Sequence, residues 1–203
     1  MVLMLQGSLR PPITRLITPL CRGLLAMGLS ANMVSSLGAI GTVVSVLYFY
    51  PRGQFVVGTL VALFFILFDL LDGTIARLSE SGSSTWGALL DSTLDRVSDA
   101  SILAGVMLYL VDRNDVLVSV VVIALVAGGL VSYIKARAES LDIACEGGIA
   151  ERTERLIVAL LSIALAGFHV PFSLAIGMWL LAIASVYTCL ERLRIVFIAT
   201  RKA

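Results

Sequence analysis

Long apolar runs, separated by short polar intervals, occupy most of the chain from Met33 onward. Six of them, near 33–50, 54–77, 87–111, 116–138, 153–169 and 172–197, are long enough or nearly so to cross ~30 Å of hydrocarbon at ~20 residues per helix. The linkers between them are short and leave no room for a soluble domain. The pattern before the first run differs. Over 8–28, Ile13, Leu16, Ile17, Leu20 and Leu24 recur at helical spacing, Pro12 suits a first turn, and Arg10, Arg15 and Arg22 interrupt the apolar residues. This predicts an amphipathic helix in the membrane interface, with a frayed basic tail as the plainer alternative. The expected fold is all-α and integral to a membrane: an interfacial helix over 8–28, then a bundle of six transmembrane helices over 33–197, in one domain spanning 1–203.

Composition supports the membrane reading. The 203 residues are 59% hydrophobic, and a mean hydropathy of +0.99 excludes an ordinary soluble domain. The net charge of +1 gives no reason to expect a nucleic-acid partner. That small value hides a spatial bias. With six spans, both termini and the second and fourth linkers share one side, which collects every Lys and Arg except Arg52 and Arg113. The positive-inside rule puts that side in the cytoplasm, so a cell-membrane protein with cytoplasmic termini is expected. Cys21, Cys145 and Cys189 are scattered without metal-ligand spacing and read as incidental free thiols. Met1–Gln6 is apolar but short, lacks a basic leader and runs into Pro11-Pro12, so no cleaved signal peptide is expected.

Four carboxylates break the apolar pattern at the cytoplasmic ends of spans two and three. Asp69 and Asp72 (i, i+3) share one helical face, and Asp91 and Asp95 (i, i+4) share another. Ionisable groups at membrane depth cost ~2.5–3.5 kcal/mol each, so four of them need compensation. Two such faces brought together form an all-oxygen pocket suited to a hard cation such as Mg2+. Gly73 and Ala76 let a ligand approach the backbone, Arg77 suits a phosphate, and Ser83, Ser84 and Thr85 supply hydroxyls. Three readings stand on these residues alone: metal–phosphate chemistry, a cation or proton pathway, or an ion-pair network in which Arg77 and Arg96 neutralise the acids.

The run Asp69-x2-Asp72-Gly73-x2-Ala76-Arg77, followed by Gly87-x3-Asp91-x3-Asp95, resembles the signature of the CDP-alcohol phosphotransferase family at all eight defining positions. One departure is the nine-residue gap between Arg77 and Gly87, where eight is usual. It leaves open which of Ser83, Ser84 and Thr85 takes the family's hydroxyl position. The resemblance implies an enzyme that transfers a phosphatidyl group from a CDP-linked lipid to an alcohol and releases CMP. It implies that Asp69, Asp72, Asp91 and Asp95 hold two Mg2+ ions, with Mn2+ as the alternative, and that Asp95 also serves as general base. Asn32, Gly73, Arg77 and the Ser83–Thr85 hydroxyls would hold the CDP moiety. For Asn32, a plain helix N-cap is an equal alternative. The resemblance further implies a homodimer.

A second, basic group bears on the acceptor. Lys135 and Arg137 end span four, where cations suit the helix dipole. Arg152 and Arg155 open span five, where positive charge opposes the dipole and creates an anion site, unless Glu151 and Glu154 pair with them. Arg192, near the cytoplasmic end of span six, would complete the cluster. Together these residues favour an acceptor carrying its own phosphate. The segments Ser132-Tyr-Ile-Lys135-Ala-Arg137-Ala-Glu139, Glu151-Arg152-x-Glu154-Arg155 and Gly177-Met-Trp-Leu-Leu-Ala resemble the actinobacterial phosphatidylinositol phosphate synthases within that family. That likeness implies CDP-diacylglycerol and inositol 1-phosphate as substrates, with Lys135, Arg152, Arg155 and Arg192 facing the inositol phosphate. A phosphatidylglycerophosphate synthase, using glycerol 3-phosphate, would need a similar clamp and is the runner-up; a cation or proton transporter is the remote alternative. Asp99 continues the Asp91–Asp95 face and reads as a supporting group or a partner of Arg96. His169 lies in an outer linker and, with Trp86 and Trp179, is given no role.

Overall fold

The computed structural model describes residues 18–78 and 84–201, with the backbone alone at 69 and 70. Among the described residues the chain is helical throughout, with no strand. Residues 18–26 are helical (α1), followed by α2 (Ala31–Phe49), α3 (Phe55–Ile66), α4 (Phe68–Leu78), α5 (Thr85–Val111), α6 (Leu117–Glu139), α7 (Arg152–Gly167) and α8 (Ser173–Thr200). The helices fall within three residues of the predicted apolar segments at either end, with α3 and α4 together filling the second. A single interruption at Leu67 divides them, although the Leu67 N–H still reaches the Leu63 carbonyl at 3.1 Å.

Among the described residues, four stretches are long and apolar enough to cross a membrane: Ala31–Phe49, Phe55–Leu78, Leu117–Glu139 and Ser173–Thr200. The other two predicted spans fall short for different reasons. Helix α5 has length to spare at 27 residues, but Asp91, Asp95, Arg96 and Asp99 fill its first half. Helix α7 has 16 residues, which at ~1.5 Å per residue is ~24 Å, less than the hydrocarbon thickness.

The described residues form two compact units, one from 18–43, 61–78 and 84–98, the other from 44–60 and 99–201. In the first, α1 lays Cys21, Leu24 and Leu25 against Val34 of α2 and Leu71 and Ile75 of α4. The inward stripe is therefore 21, 24, 25, while Leu20, expected on the apolar face, is exposed and Arg22 points outward. Ile13, Leu16, Ile17, Arg10 and Arg15 lie outside the described residues.

In the second unit, α2 ends before Pro51, which has no N–H to extend it, and Gly53 turns the chain with φ +73°. Arg52 and Arg113, the two cations predicted on the outer side, each lie over the tyrosine four residues earlier. Their guanidinium carbons are 4.0 Å from the Tyr48 ring and 3.6 Å from the Tyr109 ring. Such stacks suit an interfacial belt.

Helix packing in this unit relies on small residues, as expected where no water drives association. A Cβ on Gly177 of α8 would lie 2.2 Å from both Cβ and Oγ of Ser162 on α7. Overpacking of this kind costs ~1–3 kcal/mol. Gly177→Ala should therefore lower the Tm in detergent, and adding Ser162→Gly should recover much of the loss. An unchanged Tm in the single variant would show that α7 and α8 are not in close contact.

Candidate active site

Helix α4 opens at Phe68, so Asp69 and Asp72 occupy its first two turns. Asp72 is 7% exposed and packs toward α2, where the Ser35 hydroxyl donates to its Oδ2. Burying a carboxylate among apolar helices costs several kcal/mol unless charge-assisted bonds offset it. Ser35 is therefore part of the site, although the sequence reading passed over it. The available signal was its position one turn after Asn32 on an apolar helix. The side chain of Asp69 lies outside the described residues. One turn on, Arg77 Nη2 donates to Thr74 Oγ1 at 3.0 Å. A Cβ on Gly73 would sit 3.7 Å from Arg77 Nη1, an ordinary contact, so the glycine leaves the surface beside that guanidinium open.

Ser84 caps α5. Its hydroxyl accepts the Gly87 N–H at 2.9 Å, and its carbonyl accepts the Ala88 N–H at 3.0 Å. A Cβ on Gly87 would lie 3.0 Å from Asn32 Oδ1 and 3.1 Å from Ser84 Oγ, so the second half of the signature meets the start of α2. The N-cap alternative for Asn32 does not hold. Ser30 fills that position, accepting the Met33 N–H on its hydroxyl at 3.3 Å and the Val34 N–H on its carbonyl at 3.1 Å. Asn32 instead presents its amide to Gly87. Thr85 is exposed, and Ser83 lies outside the described residues.

Asp91 and Asp95 are half-buried on one face of α5. Arg96 Nη2 is 3.8 Å from Asp95 Oδ2, a loose pair beyond hydrogen-bond length. Among the described residues, no three His, Cys, Asp or Glu side chains are grouped to hold a metal ion. The donor types suit a hard divalent cation nonetheless. Asp72, Asp91 and Asp95 are the carboxylates that could hold one, and a hydroxyl already orients Asp72.

The basic residues lie in the second unit. Arg152, opening α7, pairs with Asp99 of α5 at 3.5 Å. Asp99 thus has a cationic partner, and the ion pair described for Arg152 is with neither of the expected glutamates. Arg155 Nη1 donates to the Ala150 carbonyl at 2.8 Å, and its Nε would be 3.6 Å from a Cβ on Gly128 of α6. Arg192 is 3% exposed and bridges two elements: Nη1 donates to the Val131 carbonyl at 2.8 Å and Nε to the Gly147 carbonyl at 3.0 Å. Arg155 and Arg192 thus meet the same stretch of α6. Lys135 follows on that face, since 128, 131 and 135 are spaced i, i+3, i+7. Arg137, by contrast, donates to Ser140 Oγ at 3.2 Å.

The CDP-alcohol phosphatidyltransferase family model matches residues 28–190, and the chain belongs to that family. Within it, the chain is 42% identical to the phosphatidylinositol phosphate synthase of Mycobacterium tuberculosis (strain ATCC 25618 / H37Rv), over 93% of this chain and 88% of that protein. It is 39% identical to the phosphatidylinositol phosphate synthase of Streptomyces avermitilis, over 93% and 81%. Crystal structures of the M. tuberculosis enzyme superpose closely. The one with CDP-DAG bound gives a TM-score of 0.85 over 90% of this chain and 94% of that one, at 42% identity. The complex with manganese and citrate gives 0.83 over 89% and 88%, at the same identity.

The two carbonyl bonds assign Arg192 a structural duty that the sequence did not reveal. Hydrogen bonds to a charged donor are worth ~1.5–3 kcal/mol each, and ~2–4 °C of Tm accompanies each kcal/mol in a chain of this size. Arg192→Met should lower the Tm of the ligand-free protein by at least ~5 °C, whatever it does to activity. Differential scanning fluorimetry in detergent checks this; a wild-type Tm would remove the structural role.

Proposed function

We propose that the protein is a phosphatidylinositol phosphate synthase, joining the phosphatidyl group of CDP-diacylglycerol to inositol 1-phosphate and releasing CMP. The observation that carries the reading is the buried Asp72, oriented by Ser35 within a complete family signature, in a chain that matches synthases of this name along most of its length. The CDP-DAG bound in one crystal structure of the M. tuberculosis enzyme and the manganese in another support a CDP-lipid substrate and a divalent cation.

In this reading Asp69, Asp72, Asp91 and Asp95 hold two divalent ions, Mg2+ or Mn2+. When bound, such ions neutralise the pyrophosphate charge and stabilise the in-line displacement. Asn32, Gly73, Arg77 and the Ser83–Thr85 hydroxyls seat the CDP moiety, with Ser84 already engaged as a helix cap. Lys135, Arg152, Arg155 and Arg192 draw in the acceptor phosphate, and Arg192 also holds the frame. Asp95 takes the proton from the attacking inositol hydroxyl. A new bond forms from that oxygen to the phosphatidyl phosphorus as the bond to the CMP oxygen breaks. The chain sits in the cell membrane as a six-span bundle within one domain over 1–203, with an interfacial N-terminal helix. Its termini and site face the cytoplasm, and it pairs as a homodimer.

An acceptor panel tests the whole reading. Purified protein with Mg2+ and CDP-diacylglycerol should release CMP with inositol 1-phosphate and not with inositol or glycerol 3-phosphate. Turnover with glycerol 3-phosphate instead would keep the family and reverse the acceptor assignment. Asp95→Asn should abolish turnover, by ~10²–10⁴-fold or more for a lost general base, while sparing CDP-lipid binding; retained turnover would remove Asp95 as base. Arg155→Ala should raise the acceptor KM roughly tenfold or more, the value of a charged hydrogen bond, with the CDP-lipid KM nearly unchanged. An acceptor KM equal to wild type would take Arg155 out of the clamp.

A further inference from the structure

The loop leading into α7 is fastened to α8 by one buried hydroxyl. Thr188 is fully buried. Its Oγ1 accepts the Ala150 N–H at 3.2 Å and donates to the Ala184 carbonyl at 2.8 Å. Its methyl occupies the space a side chain at Gly148 would need: a Cβ there would lie 2.1 Å from Thr188 Cγ2. Gly148 also has φ +99°, a conformation other residues adopt only under strain. The carbonyl of the same residue is taken by Arg155, whose Nη1 donates to the Ala150 carbonyl at 2.8 Å. One residue pair thus connects α8 to the guanidinium: Thr188 fixes Ala150, and Ala150 fixes Arg155.

We infer that Thr188 is a positioning residue for the acceptor, acting on Arg155 through Ala150. The inference rests on the reading of Arg155 as an acceptor-phosphate ligand. An arginine side chain carries much rotamer freedom, which binding must otherwise remove. Tying one terminal nitrogen to a fixed carbonyl removes part of that freedom in advance, which favours affinity by preorganisation. A hydroxyl at 188 is suited to this task because it both accepts the loop N–H and donates to its own helix. Valine has the same shape but can do neither.

The test is a double-mutant cycle on the full-length enzyme, with KM measured separately for inositol 1-phosphate and CDP-diacylglycerol. Thr188→Val should raise the acceptor KM ~5–10-fold, the effect of about one hydrogen bond, with the CDP-lipid KM changed less than about twofold. Thr188→Ser, which keeps both hydrogen bonds, should restore the acceptor KM to near wild type. On an Arg155→Ala background, Thr188→Val should add less than about a further twofold, because the group it positions is gone. Equal increases in both KM values, no rescue by serine, or full additivity with Arg155→Ala would each overturn the inference. The reading of Arg155 fails separately, if Arg155→Ala alone leaves the acceptor KM unchanged.

Discussion

Buried polarity in an apolar helical frame governs this molecule. A carboxylate at Asp72 and a guanidinium at Arg192, each more than nine-tenths buried, sit where water is scarce and every uncompensated charge is costly. Each is accommodated by a local device. Asp72 receives a hydroxyl from Ser35, and Arg192 donates to the carbonyls of Val131 and Gly147.

The same economy recurs around the helix starts. Ser30 and Ser84 take over the capping of α2 and α5. That leaves Asn32 and the Gly87 backbone to face one another rather than serve their own helices. In the second unit, the Gly147–Ala150 segment is held by Arg192, Thr188 and Arg155 together. Two arginines that look from the sequence like simple anion ligands are thus also parts of a backbone clasp. Structural and binding duties on one side chain are compatible, because guanidinium has five donors and a carbonyl bond uses one.

Much of the frame was legible in advance, for definite reasons. Apolar periodicity fixes where helices run, since a chain in lipid must satisfy its backbone internally. The signature Asp69–Asp95 fixes the family, because its acids, glycines and arginine occur at fixed offsets. Span counting was less secure. Helix α5 carries its acids inside the apolar run and α7 is short, so neither has the length and apolarity that identify the other four. Of the segment expected over 8–28, residues 18–26 are described and helical, and their inward stripe runs through Cys21 and Leu25 rather than Leu20, because the contact they make is with Leu71 and Ile75 on α4.

The sequence by itself determined the helical class, the family and the residues that carry charge, since these depend on spacing along one chain. Only tertiary structure decided which partner each charge finds. Ser35 lies 37 residues from Asp72, Asp99 meets Arg152 from another helix, and Arg192 reaches carbonyls 61 and 45 residues away. Hydroxyls and carbonyls are the commonest groups in any chain and carry no motif. Their importance comes from proximity alone, and proximity across helices is set by how glycines such as Gly148 and Gly177 let backbones close on one another.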